Sequence, residues 1–207
     1  MDPDYPHGRP TALRDAYKIC SRLVANGVFV RVRSGVFFVV DGSSARIVDI
    51  VDRNYWSIVR KIVGQEVGRE YVVGGSAAAA LHLRDYAPVE TLVIHTRDTN
   101  KTVRIADGFT LKFRTAVGGS RSGGRTIFPA LSSGAVTVRI DGVAIRTLSE
   151  EAAILDCLLE KSPEARKIAA RFVKKYHGYL DRGRLGALVR LRYITALNRL
   201  RTIAKEE

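Results

Sequence analysis

Residues Tyr71 to Asp85 read YVVGGSAAAALHLRD, a short β-rich run that meets Gly74-Gly75-Ser76 and continues into an alanine-rich helical stretch. A glycine pair at the mouth of a helix lets the backbone approach a bound phosphate, whose charge the first free helical amides can hold. Nucleotidyl transfer uses such a turn, and it also needs two carboxylates at alternate positions of a following strand to share magnesium ions. Here the following strand reads Pro88-Val89-Glu90-Thr91-Leu92-Val93, and Leu92, which cannot ligate a hard cation, stands where the partner of Glu90 is required. Asp49 and Asp52 lie before the turn in a helical pattern that makes them a solvated face. The expectation is therefore a chain with no catalytic activity of its own, with a divergent nucleotidyltransferase built on the Gly74-Gly75-Ser76 turn as the alternative. Two uses of the turn remain open. In one, Gly74 lets the strand bend and the Ser76 hydroxyl caps the helix; in the other, Gly74, Gly75 and Ser76 keep a phosphate or partner contact.

Other chemistry finds little support. His7, His82, His95 and His177 have no metal-ligand spacing, so no metal site is expected, and His82 reads as a satisfied interior or interface residue. Cys20 and Cys157 sit far apart inside helical patterns and read as reduced, buried thiols. No Ser, Cys or Lys stands in a nucleophile motif, and no cofactor is implied.

Charge carries more information. Against 21 Asp and Glu stand 34 Lys and Arg, a formal net charge of +13, which favours a polyanionic partner. Nucleic acid is the partner expected. Arg14, Lys18 and Arg22 recur every four residues, forming a helical stripe suited to a major groove or to solvent. Arg31, Arg33 and Ser34 flank a tight bend, where a wing tip meets phosphate or where charge protects a strand edge. Arg121 and Arg125, in the glycine-rich run VGGSRSGGR, offer a further phosphate or partner contact, or a solvated loop.

The elements that would position these residues follow from periodicity. Thr11 to Asn26 is an amphipathic helix with Leu13, Ala16, Tyr17, Cys20, Leu23 and Val24 on its apolar face, stopped by Asn26-Gly27. VFVRVR and VFFVV, joined at Ser34-Gly35, make a hairpin, so that helix and hairpin together read as half of a winged helix. Ala45 to Val63 reads as one connecting helix, and the segments near 91–96, 102–105 and 109–113 alternate as strands. Asp141-Gly142 joins two more strands by the strongest hairpin signal in the chain. Ser149, Ser162-Pro163 and Asp181 each open a helix, the last carrying Leu185, Val189, Tyr193, Ala196, Leu200 and Ile203 on one face. The fold class expected is α+β: a short winged-helix-like unit at 1–42, then a mixed domain at 43–207 with a helical, basic carboxyl-terminal portion. Apolar runs break well short of the ~20 residues of a spanning helix, and MDPDYPHGRP lacks the features of a signal peptide. A soluble, cytoplasmic protein with no membrane partner is expected.

The order LVANGVFVRVRSGVFFV, connector helix, YVVGGSAAAALHL, VRIADGFTLKF, TLSEEAAILDCLL and basic helices resembles the AbiEi-type antitoxin and transcriptional regulator family of type IV toxin–antitoxin systems. The resemblance spans nearly the whole chain through weak motifs in a consistent order. It implies an autorepressor that binds double-stranded DNA at its own promoter through the amino-terminal winged helix. It also implies an antitoxin countering a nucleotidyltransferase-type toxin, directly or only functionally, and it leaves a homodimer open.

Overall fold

The computed structural model describes residues 11–33, 35–39, 47–105, 108–118 and 125–206. The fold is mixed α+β, in two compact units, Met1–Arg53 and Asn54–Glu207.

In the first unit, α1 (Thr11–Ala25) ends where Gly27 adopts φ +69°. Val28 N–H donates to Leu23 O at 2.9 Å and Gly27 N–H to Val24 O at 3.1 Å, the bond pair that closes a helix on a left-handed residue. The hairpin of β1 (Phe29–Arg33) and β2 (Val36–Val39) follows, antiparallel, with Phe29 opposite Val39 and an irregularity between Arg31 and Arg33. On the stripe expected to be apolar and inward, Cys20, Leu23 and Val24 are half-buried while Ala16 and Tyr17 are exposed. The helix α2 (Ile47–Arg53) buries Ile50 and Val51.

The single helix expected over Ala45–Val63 is two. Asn54, at φ −113° and ψ 16°, leaves helical geometry between α2 and α3 (Tyr55–Val67), as suits a side chain that competes for backbone hydrogen bonds. On α3 the residues Tyr55, Trp56, Ile58, Val59, Ile62 and Val63 are buried, and each fully buried isoleucine contributes roughly 1.5–3 kcal/mol.

The second unit is built on a six-stranded sheet. Its strands are β3 (Tyr71–Val73), β4 (Thr91–Thr96), β5 (Lys101–Ile105), β6 (Phe109–Thr115), β7 (Val136–Ile140) and β8 (Val143–Thr147), in the order β5-β6-β4-β3-β8-β7. The pairs β3/β8 and β4/β6 are parallel and the rest antiparallel, with Val73 opposite Ile94 across β3 and β4. Asp141 and Gly142, at φ +47° and +79°, make the β7–β8 turn with both central residues left-handed, as the Asp-Gly pair favours.

Helices α4 (Gly75–His82), α5 (Phe128–Ser133), α6 (Glu150–Cys157), α7 (Pro163–Tyr176), α8 (Arg182–Leu188) and α9 (Ile194–Glu206) complete the unit. The buried alanines Ala77 to Ala80 let α4 lie close against α6 and α7. The caps read at Ser149, Ser162 and Asp181 are present. Ser149 Oγ accepts from Ala152 N, Ser162 Oγ from Ala165 N and Asp181 Oδ1 from Arg184 N. The one helix expected after Asp181 is instead α8, a π-helical turn at Val189–Tyr193, and α9. The wider turn puts Leu188 and then Tyr193, Ala196, Leu200 and Ile203 inside, leaving Leu185 and Val189 half-buried. Among the described residues no helix is long and apolar enough to cross a membrane.

Candidate functional site

The glycine turn departs from its expected construction. Gly75, not Gly74, takes the left-handed conformation, at φ +64°, while Gly74 is extended. Gly74 is required for room: a Cβ there would run into the His95 ring and lie 2.7 Å from Asp156 Oδ2. Ser76 lies inside α4, one residue past its start, so its hydroxyl is not the expected cap.

Two carboxylates do the capping. Gly75 N–H donates to Asp156 Oδ2 at 2.6 Å and Ser76 N–H to Glu160 Oε1 at 2.9 Å. Asp156 lies on α6, and Glu160 follows one turn later, because Leu159 N–H and Glu160 N–H bond back to the carbonyls of Asp156 and Cys157. The positive end of α4 thus holds two internal anions.

Asp156 is the hub. It is buried, and Oδ2 also accepts from His95 Nε2 at 2.7 Å while Oδ1 accepts from the Tyr193 hydroxyl at 3.0 Å. The Arg192 guanidinium stands 3.7 Å from Oδ1. Burial by itself would raise the carboxyl's pKa. The charge and hydrogen bond of His95, the Gly75 amide and the Arg192 charge outweigh it and hold Asp156 well below the usual carboxylate range. Tyr193 moves the other way: burial and then the Asp156 charge push its hydroxyl well up, against the pull of Arg192. The imidazole Nδ1 of His95 is buried without a hydrogen-bond partner among the described residues.

Beside this network lies a cavity of about 320 Å³ lined by Gly75, Val93, His95, Arg114, Glu160 and Arg192, among others. Strand register determines which β4 residues reach it. Gly74 N–H donates to Val93 O, and the β4 side chains beside the glycine turn are those of Val93 and His95. Glu90 precedes β4 and is exposed, and Leu92 is fully buried, so the strand positions beside the glycine turn are not the Glu90 and Leu92 expected from the sequence. Among the described residues no group of three or more His, Cys, Asp or Glu is placed to hold a metal ion. His82 is satisfied as expected, its Nε2 bonded to Leu148 O at 2.8 Å.

The basic residues expected to touch DNA belong to the first unit. Arg14, Lys18 and Arg22 are exposed along α1. Arg31 is exposed with its guanidinium 5.9 Å from the centre of the Tyr17 ring, which ties the hairpin's basic side to the helix, and Arg33 is half-buried. Ser34 and Arg121 lie outside the described residues, and Arg125, exposed in the second unit, accepts from Gly118 N through its carbonyl.

His95, Asp156, Glu160, Arg192 and Tyr193 were missed. One signal was available: Asp156 is the lone charge in the apolar run AAILDCLL, a position that a helix face does not solvate.

No family model matches the chain, and no curated protein sequence matches it. Among solved structures it resembles the antibiotic-resistance factor ANT(2'')-Ia, an aminoglycoside nucleotidyltransferase, at 14% identity and TM-score 0.46, over 75% of this chain and 96% of that one. It also resembles the RV2827C protein of Mycobacterium tuberculosis, at 15% identity and TM-score 0.52, over 96% of this chain and 66% of that one. The expectation that the chain is no enzyme is not carried forward: the first likeness, one of fold alone, is to a nucleotidyltransferase. The second is a likeness of fold alone.

Proposed function

We propose that the chain is a DNA-binding transcriptional regulator that docks its first unit on duplex DNA. In this reading α1 enters the major groove and the hairpin meets the phosphates. The carrying observation is that Arg14, Lys18 and Arg22 are all exposed at four-residue spacing on α1, with the Arg31 side of the hairpin folded onto the same helix at Tyr17. The resemblance in motif order extends the proposal to an autorepressing antitoxin opposed to a nucleotidyltransferase-type toxin. Titration against its own upstream region and against scrambled duplex tests it. With five cations on phosphate, affinity falls about 500-fold between ~50 and ~200 mM salt. Preference for the upstream region persists at both salt concentrations. Equal affinity for both duplexes throughout removes the regulator.

A second reading, a divergent nucleotidyltransferase, takes the strand–Gly74-Gly75-Ser76–helix turn as a phosphate cradle, which requires the Asp156 and Glu160 carboxylates to give up the Gly75 and Ser76 amides they cap. Magnesium-dependent transfer of a labelled nucleotidyl group from a nucleoside triphosphate, with release of pyrophosphate, supports it.

A further inference from the structure

Helix α7 runs out through Lys174-Lys175-Tyr176-His177-Gly178-Tyr179, and Leu180 and Asp181 then lead into α8. The two tyrosines are used differently. Tyr176 belongs to the fold: its ring lies 4.7 Å from that of Phe172 between centroids, and its hydroxyl donates to His82 O at 2.7 Å. Tyr179 is 85% exposed, the most exposed large apolar side chain among the described residues, and among them its ring and hydroxyl have no partner. A single exposed aromatic is ordinary on a protein surface. This one sits on a turn tied at both ends. His177 N–H donates to Val173 O at 2.9 Å and Tyr179 N–H to Tyr176 O at 2.8 Å, while Leu180 packs against the core and the Asp181 amide donates to the buried Glu151 Oε1 at 3.2 Å.

The surface that carries Tyr179 is basic. Residues 161–206 contain thirteen Lys and Arg against three Asp and Glu. Some of these cations are matched: Lys167 stands 3.8 Å from Glu164, Arg171 3.0 Å from Asp85 and Arg184 4.0 Å from Glu151. The cations that flank Tyr179 are not. Lys174, Lys175 and Arg182 are exposed and make no ion pair among the described residues, and Lys175 Nζ lies 5.0 Å from the centre of the Tyr176 ring. The one carboxylate in the stretch 174–184, that of Asp181, accepts from the Arg184 amide as the cap of α8. Arg182 follows Tyr179 by three residues, so their Cα atoms lie within about 11 Å of each other, and Lys174 and Lys175 stand in the last turn of α7.

We infer that the α7–α8 turn is a contact site for single-stranded RNA, in which Tyr179 stacks on an unpaired base while Lys174, Lys175 and Arg182 hold the adjoining phosphates. An aromatic face gains from a base only where that base is free of its own stack, and RNA presents such bases in loops, bulges and ends. A paired stem keeps its bases stacked and leaves Tyr179 nothing to take. Because the turn is tied at Tyr176 and at Asp181, the ring is held outward before the strand arrives, and little ordering is lost on binding. Stacking of this kind accepts any base, so the site carries little sequence preference. The inference concerns the second unit and goes beyond the docking of α1 on duplex DNA; each can fail without the other.

The test titrates the full chain into a fluorescently labelled, unstructured RNA of about 12 nucleotides, read by anisotropy, beside a fully paired RNA stem and a single-stranded DNA of the same sequence. Wild type should bind the unpaired RNA more tightly than the stem and at least as tightly as the DNA. Tyr179→Ala should weaken it about tenfold, as for one lost base–aromatic stack, while Tyr179→Phe, which keeps the ring, should stay within about twofold of wild type. Lys174→Gln with Lys175→Gln should lower the slope of log affinity against log salt by about 1.4, two phosphates at ~0.7 each. Tyr179→Ala should leave affinity for duplex DNA unchanged, so that failure here and failure of the regulator reading are read apart. No binding of unpaired RNA at ~50 mM salt, a stem bound as tightly as the unpaired strand, or equal binding by wild type and Tyr179→Ala overturns the site. So does Tyr179→Phe as damaging as Ala, an unchanged salt slope in the lysine pair, or the same loss on duplex DNA. Tighter binding of the single-stranded DNA overturns the assignment to RNA.

Discussion

Replacing Asp156 by Ala should cost the second unit on the order of 4 kcal/mol or more. The carboxylate receives three buried donors, Gly75 N–H, His95 Nε2–H and the Tyr193 hydroxyl, and each donor left without an acceptor costs ~1–3 kcal/mol. Against a total stability of ~5–15 kcal/mol for a domain, that loss brings the unit near unfolding. Asp156→Asn separates charge from hydrogen bonding. Its carbonyl can still accept from Gly75 and His95, and its amide can donate to the Tyr193 oxygen, so the loss should be nearer ~1–2 kcal/mol. Urea unfolding followed by Trp56 fluorescence reads the second unit, since Trp56 is the chain's only tryptophan and lies buried on α3. The two variants also differ in acid. Because Asp156 has a folded pKa below its unfolded value of ~3.9, its contribution is fully present above that value and is lost as pH falls through the folded pKa. Wild-type stability should therefore drop below about pH 4, and Asp156→Asn should lack that part of the drop. Equal stability of wild type and Asp156→Ala, or Asn as damaging as Ala, refutes the hub.

Gly75→Ala should destabilise by roughly 2 kcal/mol or more, because a side chain at φ +64° is strained and its Cβ would collide with Glu160 Oε1; the same urea titration measures it. In duplex titrations, Arg14→Ala or Arg22→Ala should lose roughly 1–3 kcal/mol on the upstream region and relax its sequence preference. Arg31→Ala should instead weaken operator and scrambled duplex about equally and lower the salt slope by about one contact. Tyr193→Phe removes one hydrogen bond to Asp156 and should cost ~1–2 kcal/mol while leaving far-UV circular dichroism unchanged.

What could be read from the sequence was what local chemistry decides. Ser149, Ser162 and Asp181 each bond an amide three residues on, and Asp141-Gly142 encodes its own turn, so these elements were legible. The candidate site was not, because its bonds are remote: Gly75 lies 81 residues from Asp156, His95 61 and Tyr193 37. Reading Glu90 and Leu92 as the strand positions beside the glycine turn failed for a related reason. Which β4 residue faces Gly74 depends on the pairing with β3, and a small shift in register moves the answer from Leu92 to Val93 and His95. Asn54 and the π-helical turn were hidden by apolar spacing that a straight helix also satisfies.

The π-helical turn makes the carboxyl-terminal segment sensitive to length in a way that its exposed, basic sequence conceals. Such a turn contains one residue more than an α-helical path between the same ends, so deleting Arg190 would let the helix close into a regular α-helix. Everything on one side of the deletion would then rotate by about 100° relative to the other. Either Leu188 or the set Tyr193, Ala196, Leu200 and Ile203 would have to leave the interior. Substitutions at Arg190 should be tolerated far better than its removal, so variation in this segment is expected to change residue identity while conserving residue number.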